Sequence, residues 1–528
     1  MALGRFKHLD DSASSSRSVS RSRTPLPESE ENGQLDYNFA NLEELLATRL
    51  EAYENMIDNQ DKKQTVVNEL NKQRITSTST ISEIIKSLGL SRSEVSSNSR
   101  ELLLAQLYKL IITKPLVVYN EESGDYIDEG HVSDLIFILM KNESASAYEF
   151  SLLFRCVVSL IVSDIEEFGS LIDGEFLSFL KDLLIKPSNN IVTNENKSYV
   201  ITGYVSMLLI LHNGNGGFGI DDIVNWLFEL SEGFCLSSLS SIKGFKAGDR
   251  EYSTFFDDLS EQRIVNDITS KQNTDTLVGV SGLHGVGCLL TLLPRNDYLN
   301  DLIQDLMPKL IELLDEDNVE ISKACGRLIG ICYESYTYNN DEDEDEDEEF
   351  NYNAPYYEQE QLINTLNTLA NLSSKKLKKN EKKDTHSIFR DVLNTVKNFS
   401  KLETRLEIYK KSPRGMELLN TMLDSNYLKL SRTRSIQINS WFLYLRLIHL
   451  KWCFGFGVHN QLVANESIRE ILKEPPTDYQ VKYGDEDEVI IDKEYSTEKH
   501  EFDDKKRTTM VRKARVEKLT NNMEELDL

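Results

Sequence analysis

Residues 301–334 read DLIQDLMPKLIELLDEDNVEISKACGRLIGICYE, with Leu302, Leu306, Leu310, Leu313 and Leu314 in one stripe and Ile321, Cys325, Leu328, Ile329 and Cys332 in the next. Both stripes follow the helical period, and only the four polar residues Asp315–Asn318 separate them. A polar turn that short between two amphipathic helices makes an antiparallel hairpin. A series of such hairpins about 40 residues apart is the mark of armadillo or HEAT solenoids.

The same texture extends in both directions. Leu42, Leu45, Leu46, Leu50, Tyr53 and Ile57 mark one helix, and Leu103, Leu104, Leu107, Leu110 and Ile111 another. Leu135, Ile136 and Leu139 follow, then Leu153, Cys156, Val157, Leu160 and Ile161, then Phe176, Leu177, Leu180, Leu183 and Leu184. Helical periodicity returns at Gln361 and runs through FRDVLNTVKNF and SWFLYLRLIHLKWCFGFG, up to the helix stop at Pro475 and Pro476. The expected fold is all-α: an armadillo/HEAT-like solenoid followed by a helical C-terminal domain, with disordered ends.

Composition narrows the function. A chain of 528 residues outgrows a single core, which favours a repeat array or several domains. Lys+Arg is 59 against Asp+Glu 87, a net charge of −28, so any nucleic-acid contact has to be local. The cysteines Cys156, Cys235, Cys288, Cys325, Cys332 and Cys453 are scattered without zinc spacing and read as buried thiols of a reducing compartment. No apolar run reaches the roughly 18 residues that span a bilayer, and the N-terminus lacks a signal-peptide core. The expected location is the cytoplasm or nucleus, with no membrane partner.

Motifs for catalysis are missing. GNGGFG at 214–219 matches a dinucleotide fingerprint literally, but the preceding SYVITGYVSMLLILH reads as a helix, so it is expected to be an inter-helix loop. GLHGVG at 282–287 is expected to let neighbouring helices approach. The histidines fall in no metal-binding pattern, and no GxSxG, P-loop or kinase signature occurs. The expectation is a non-enzymatic protein with no cofactor, metal or small-molecule substrate.

Charge is concentrated at three places. DEDEDEDEE at 341–349 reads as a solvated loop of about 336–360, with docking of basic proteins as the functional alternative. Lys375, Lys376, Lys378, Lys379, Lys382 and Lys383 form a basic patch that could touch phosphate, serve nuclear import or balance the acidic run. In the tail, KKRTTMVRKARVEK at 505–518 places Lys505, Lys506, Arg507, Arg512, Lys513, Arg515 and Lys518 all round a helix. Such a helix has no face to bury. It suits a channel walled by phosphate, where ordering costs of roughly 1.5 kcal/mol per residue are offset by many contacts made together.

The stretch 375–396, KKLKKNEKKDTHSIFRDVLNTV, resembles the junction of the interferon-related developmental regulator family, with Phe389, Arg390 and Asp391 in its motif. Residues 438–472 are similar to the family's C-terminal motif, through Trp441, Gly457, His459, Asn465 and Arg469, and NVEISKACGRLIGICYE at 318–334 to the end of its repeat region. Trp441, His459 and Phe389 read first as packing residues. The resemblance implies an armadillo-like fold and divides the chain into a Ser/Arg-rich arm (1–36), a repeat domain (37–372), a C-terminal family domain (373–475) and an acidic linker with a basic helix (476–528). It further implies either transcriptional co-regulation, with the groove as scaffold for protein partners, or binding to inactive ribosomes. In the second case a basic C-terminal helix enters the intersubunit space near the tRNA sites, which carries over to Lys506, Arg507, Arg512, Lys513, Arg515 and Lys518 as rRNA contacts.

Overall fold

The computed structural model describes residues 80–472, except 142, 215–216, 249–257, 315–317, 339–352, 372–378, 402, 406–425 and 430–434. Residues 1–402 and 420–473 group into one compact unit, and 403–419 with 474–528 into another. The first unit takes in segments on both sides of the expected boundary at 372/373.

Its architecture is a stack of helical hairpins. The pairs are α1 (Ile81–Leu88) with α2 (Ser97–Thr113), and, beyond the short α3 (Leu116–Ser123), α4 (Glu129–Met140) with α5 (Ala147–Ser163). After the single turn α6 (Ile165–Phe168) come α7 (Gly174–Ile185) with α8 (Asn194–His212), and α9 (Ile220–Gly248) with α10 (Asp258–Leu290). The last are α11 (Asp297–Glu312) with α12 (Val319–Ser335) and α13 (Gln359–Ala370) with α14 (Lys379–Ser400). The second helices pack side by side in the order α2, α5, α8, α10, α12, α14 and form an inner layer, while their partners lie outside. The unit is a helical-repeat solenoid, as the periodicity predicts, with repeats longer and less regular than a 40-residue period.

Local sequence sets where the helices begin. Thr80 and Glu83 form a capping box on α1, and Ser96, Asp128, Ser146, Asp173, Thr193, Asn296 and Asn318 each accept a backbone N–H in the first turn of the helix that follows. Asn318, the last residue of the DEDN segment, thereby fixes the start of α12. The outer helices bury one stripe, as Leu299, Leu302, Ile303, Leu306, Met307 and Leu310 do on α11. The inner ones are buried on every side: α5 from Glu149 to Ser163, α8 from Asn196 to Ile210 and α12 from Ile321 to Ser335.

Dense inner packing explains the small residues. A Cβ on Gly282 of α10 would overlap Ser231 of α9, and one on Gly285 would lie 3.0 Å from Leu227 and from Val205. The GLHGVG stretch therefore serves close helix approach, as its small residues predict. GNGGFG is an inter-helix loop between α8 and α9, where Gly214, Gly217 and Gly219 take φ of 80°, 62° and 74°. Those left-handed conformations suit glycine and leave no strand for a nucleotide fold.

One element departs from the all-α expectation. Strand β1 (Asn426–Lys429) pairs antiparallel with β2 (Ser435–Ile438), with Asn426 opposite Ile438 and Lys429 opposite Ser435. The Ser-Ile-Gln-Ile alternation is a period-two signal four residues long, too short to stand out beside the long helical segments.

Beyond β2 the chain turns back along the solenoid. Helix α15 (Trp441–Phe454) crosses α12, α10, α8 and α5; a 3-10 turn (Gly455–Gly457) and α16 (Val458–Ala464) reach α2; and α17 (Glu466–Ile471) rests on α8. This segment is an integral part of the core, with Trp441, Leu443, Leu445, Leu450, Trp452, Cys453 and Phe454 all buried.

Candidate interaction surface

A scaffold that captures peptides needs an open inner face, and here that face carries the protein's own segment 441–471. Three polar devices hold it. At one end the Glu334 carboxylate, in the last turn of α12, accepts the N–H groups of Trp441 (2.9 Å) and Phe442 (3.0 Å). Ser440 accepts the Leu443 N–H at the same helix start. A buried anion therefore faces the positive end of α15. The Trp441 indole N–H donates to Thr395 Oγ1 of α14 at 2.9 Å, and its ring lies where a Cβ on Gly330 would be, 2.5 Å from Nε1.

In the middle, Arg446 is buried and fully engaged. It donates to Thr291 Oγ1 (2.8 Å) and O (3.0 Å), Asn213 Oδ1 (2.8 Å) and Ile471 O (3.0 Å), and its guanidinium lies 4.1 Å from the Phe442 ring centroid. Toward the other end, the Arg155 guanidinium of α5 sits between the rings of Tyr108 (5.3 Å) and Trp452 (4.7 Å). Its Nε and Nη2 are buried without a hydrogen-bond partner among the described residues, so the aromatic faces supply the stabilisation. Tyr108 Oη (3.1 Å) and Ser159 Oγ (2.8 Å) both donate to Cys453 O, and Asn465 Nδ2 donates to Ser163 O at 2.6 Å.

Buried basic groups line the same seam. The His284 ring nitrogen Nε2 lies 3.2 Å from Arg327 Nη1, and His449 Nδ1 donates to Leu445 O at 2.9 Å. Burial lowers the His449 pKa from 6.5 to about 4, and burial with the nearby Arg327 and Lys323 charges holds His284 well below its ordinary value. Both rings are neutral in the folded protein at neutral pH, while in the unfolded chain they take up protons from about pH 6.5 downward. Their folded pKa values are depressed, so stability falls as pH drops from about 6.5 toward 4. His449 alone accounts for up to about 3 kcal/mol across that window, at about 1.36 kcal/mol per unit. Urea melts at pH 7 and 5.5 check this: the loss should shrink in His449→Asn, which can still donate to Leu445 O, and an unchanged loss would remove His449 as its source.

The family-motif residues divide between core and surface. Phe389 is buried on α14, with its ring 3.3 Å from the position of a Cβ on Gly326 of α12, and Asp391 is also buried. Arg390 is exposed and neither pairs nor caps among the described residues. Trp441 is core, Asn465 caps α17, and His459 and Arg469 are half-buried. Of the basic patch, Lys375, Lys376 and Lys378 lie outside the described residues; Lys379 and Lys382 belong to the first turn of α14, and Lys383 is exposed. The tail residues Lys505, Lys506, Arg507, Arg512, Lys513, Arg515 and Lys518, the arm 1–36, the acidic run 341–349 and the helix expected over 42–57 also lie outside the described residues.

No group of three or more His, Cys, Asp or Glu among the described residues could hold a metal ion. Burial raises the thiols of Cys235, Cys288 and Cys453 to about 12 and pushes those of Cys156, Cys325 and Cys332 up as well, so they are protonated. No described helix is long and apolar enough to cross a membrane.

Sequence reading missed Arg155 and the capping role of Glu334, because each acts on a partner far away in the chain. It also passed over Lys397, although its spacing of seven from Arg390 was a legible signal.

A family model described as interferon-related developmental regulator matches residues 234–397, from the middle of α9 almost to the end of α14. Among curated proteins, the chain is similar to interferon-related developmental regulator 2 of Mus musculus, 27% identical over 200 residues. That alignment takes in 36% of this chain and 37% of the mouse protein, so the chain spans well under two thirds of that relative's length. Together with the motifs at 318–334 and 375–396, these matches support the resemblance of the chain to the interferon-related developmental regulator family.

Proposed function

We propose that the protein is a non-enzymatic regulator that associates with inactive ribosomes, the solenoid giving a rigid body and the basic segment 505–518 contacting rRNA near the tRNA and mRNA sites. The observation that most favours this reading is the covering of the inner face by α15–α17. A co-regulator that held protein segments in that groove would first have to expel a helix whose apolar residues are almost all buried. Recruitment through charge at the periphery needs no such rearrangement. In a chain of net charge −28, the cations of 505–518 and of α14 are local exceptions that suit phosphate.

Sedimentation of lysates from growing and starved cells tests the reading. Full-length protein should travel with ribosomes, more so on starvation, and a chain ending at Asp504 should stay in the light fractions. Both forms staying light would end the ribosomal reading and favour the scaffold; equal co-sedimentation would assign binding to the solenoid and take the tail out of the mechanism.

A further inference from the structure

Several surface cations of the solenoid are already occupied by neighbours, and others, such as Lys86, Lys109 and Lys271, stand singly on α1, α2 and α10. Lys186 pairs with Asp182 at 2.9 Å, and the amino groups of Lys114, Lys141, Lys181 and Lys309 lie over the rings of Tyr119, Phe137, Trp226 and Phe228. Helix α14 is different. Lys383, Arg390 and Lys397 are exposed, and none of the three forms an ion pair, a hydrogen bond or a ring contact with a described residue. Their spacing of seven puts them on one face with only about 20° of drift per step.

The opposite face of α14 fixes that orientation. Phe389, Val392, Val396 and Phe399 are fully buried, with Phe389 and Val392 against α12, so the helix cannot turn its cations inward. Ser387 and Asn394 fill the positions between the cations, and Lys401 continues the line as another exposed cation. At 1.5 Å per residue the stripe from Lys383 to Lys397 is about 21 Å long, with steps of about 10.5 Å. It contains no carboxylate.

We propose that this face of α14 is a contact surface for the phosphate backbone of duplex RNA. The RNA assignment rests on the ribosomal reading above; the phosphate assignment rests on the stripe itself. A binder of single strands would need aromatic platforms for bases, and none of the exposed large hydrophobic residues lies on α14. A straight, rigid row of cations with short polar side chains between them instead follows a helical backbone without reading its sequence. The surface is distinct from the tail, so it supplies a second, sequence-independent grip held at a fixed place on the solenoid.

The test uses the full-length protein and a labelled RNA duplex of about 20 base pairs, titrated by fluorescence anisotropy over a salt series. The triple variant K383Q/R390Q/K397Q should bind at least tenfold more weakly at about 0.1 M salt. Its plot of log affinity against log salt should be shallower by about 2 to 3, near 0.9 per lost phosphate contact. A control with Lys141, Lys186 and Lys309 changed to Gln should bind as the parent does, and thermal melts should show both variants folded. Unchanged duplex affinity in the triple variant would overturn the proposal, as would loss of polyglutamate binding alone, which would reassign the stripe to an acidic protein. A DNA duplex bound as tightly and weakened equally would overturn the RNA assignment. Because naked duplex replaces the ribosome, these outcomes are independent of the sedimentation test: a weakened triple variant that still co-sediments fully would leave the stripe standing and remove it from ribosome attachment.

Discussion

Trp441→Ala is expected to lower the unfolding free energy by about 3–5 kcal/mol, the range for truncating a fully buried aromatic residue. The ring fills the space above Gly330, stands edge-on to Tyr444 at 5.9 Å, and joins α15 to α14 through its bond to Thr395. Alanine would leave a cavity between α12, α14 and α15, while the Thr395 hydroxyl keeps its bond to Asp391 O at 3.0 Å. Rigid walls on three sides limit collapse into that cavity, so the cost should sit toward the upper end. Trp441→Phe separates the two contributions: it keeps most of the volume and loses the hydrogen bond, for an expected loss of about 1–2 kcal/mol. Equilibrium urea denaturation measures both. A Trp441→Ala loss below about 1 kcal/mol would mean that the seam between α15 and the solenoid is not part of the folding core.

Glu334→Ala should cost about as much, by a different route. The carboxylate is 2% exposed and accepts two backbone N–H groups of α15. Hydrogen bonds to a charged group contribute about 1.5–3 kcal/mol each, and their removal strands two buried donors at the positive end of a helix. An expected loss of about 3–5 kcal/mol follows, with Glu334→Gln intermediate because one oxygen still accepts while the charge is gone. Combining Glu334→Ala with Trp441→Ala should give less than the sum of the two, since both act on the first turn of α15. Strict additivity would show that the cap and the indole hold α15 independently, against the picture of one docking point.

These effects bear on how the protein works. With the inner face closed by its own chain, the solenoid is a finished body rather than an open cradle. On the proposed reading, partners meet its outer helices, its loops and its charged segments. The cations of α14 stand on a helix packed into that body, so the proposed contact would find their spacing already set, which lowers the entropic cost of binding.

Sequence alone determined the features that depend on near neighbours along the chain. The stripes of 301–314 and 319–334 and the polar turn between them were enough to read a hairpin of helices, because helical periodicity is settled by residues three and four apart. The motifs at 318–334 and 375–396 were likewise legible as strings, and so was the family resemblance. Tertiary structure decided the rest. That α5, α8 and α12 are buried all round follows from their place between two rows of helices, which no single periodicity reveals. Trp441 meets Glu334 across 107 residues of sequence, and Tyr108 meets Cys453 across 345. Such pairings depend on which surfaces the fold brings together. The same holds for the two surfaces on which the proposals rest: the inner face became core because residues 441–471 return to cover it, and Lys383, Arg390 and Lys397 became a surface because Phe389, Val392 and Val396 turned the other side of α14 inward.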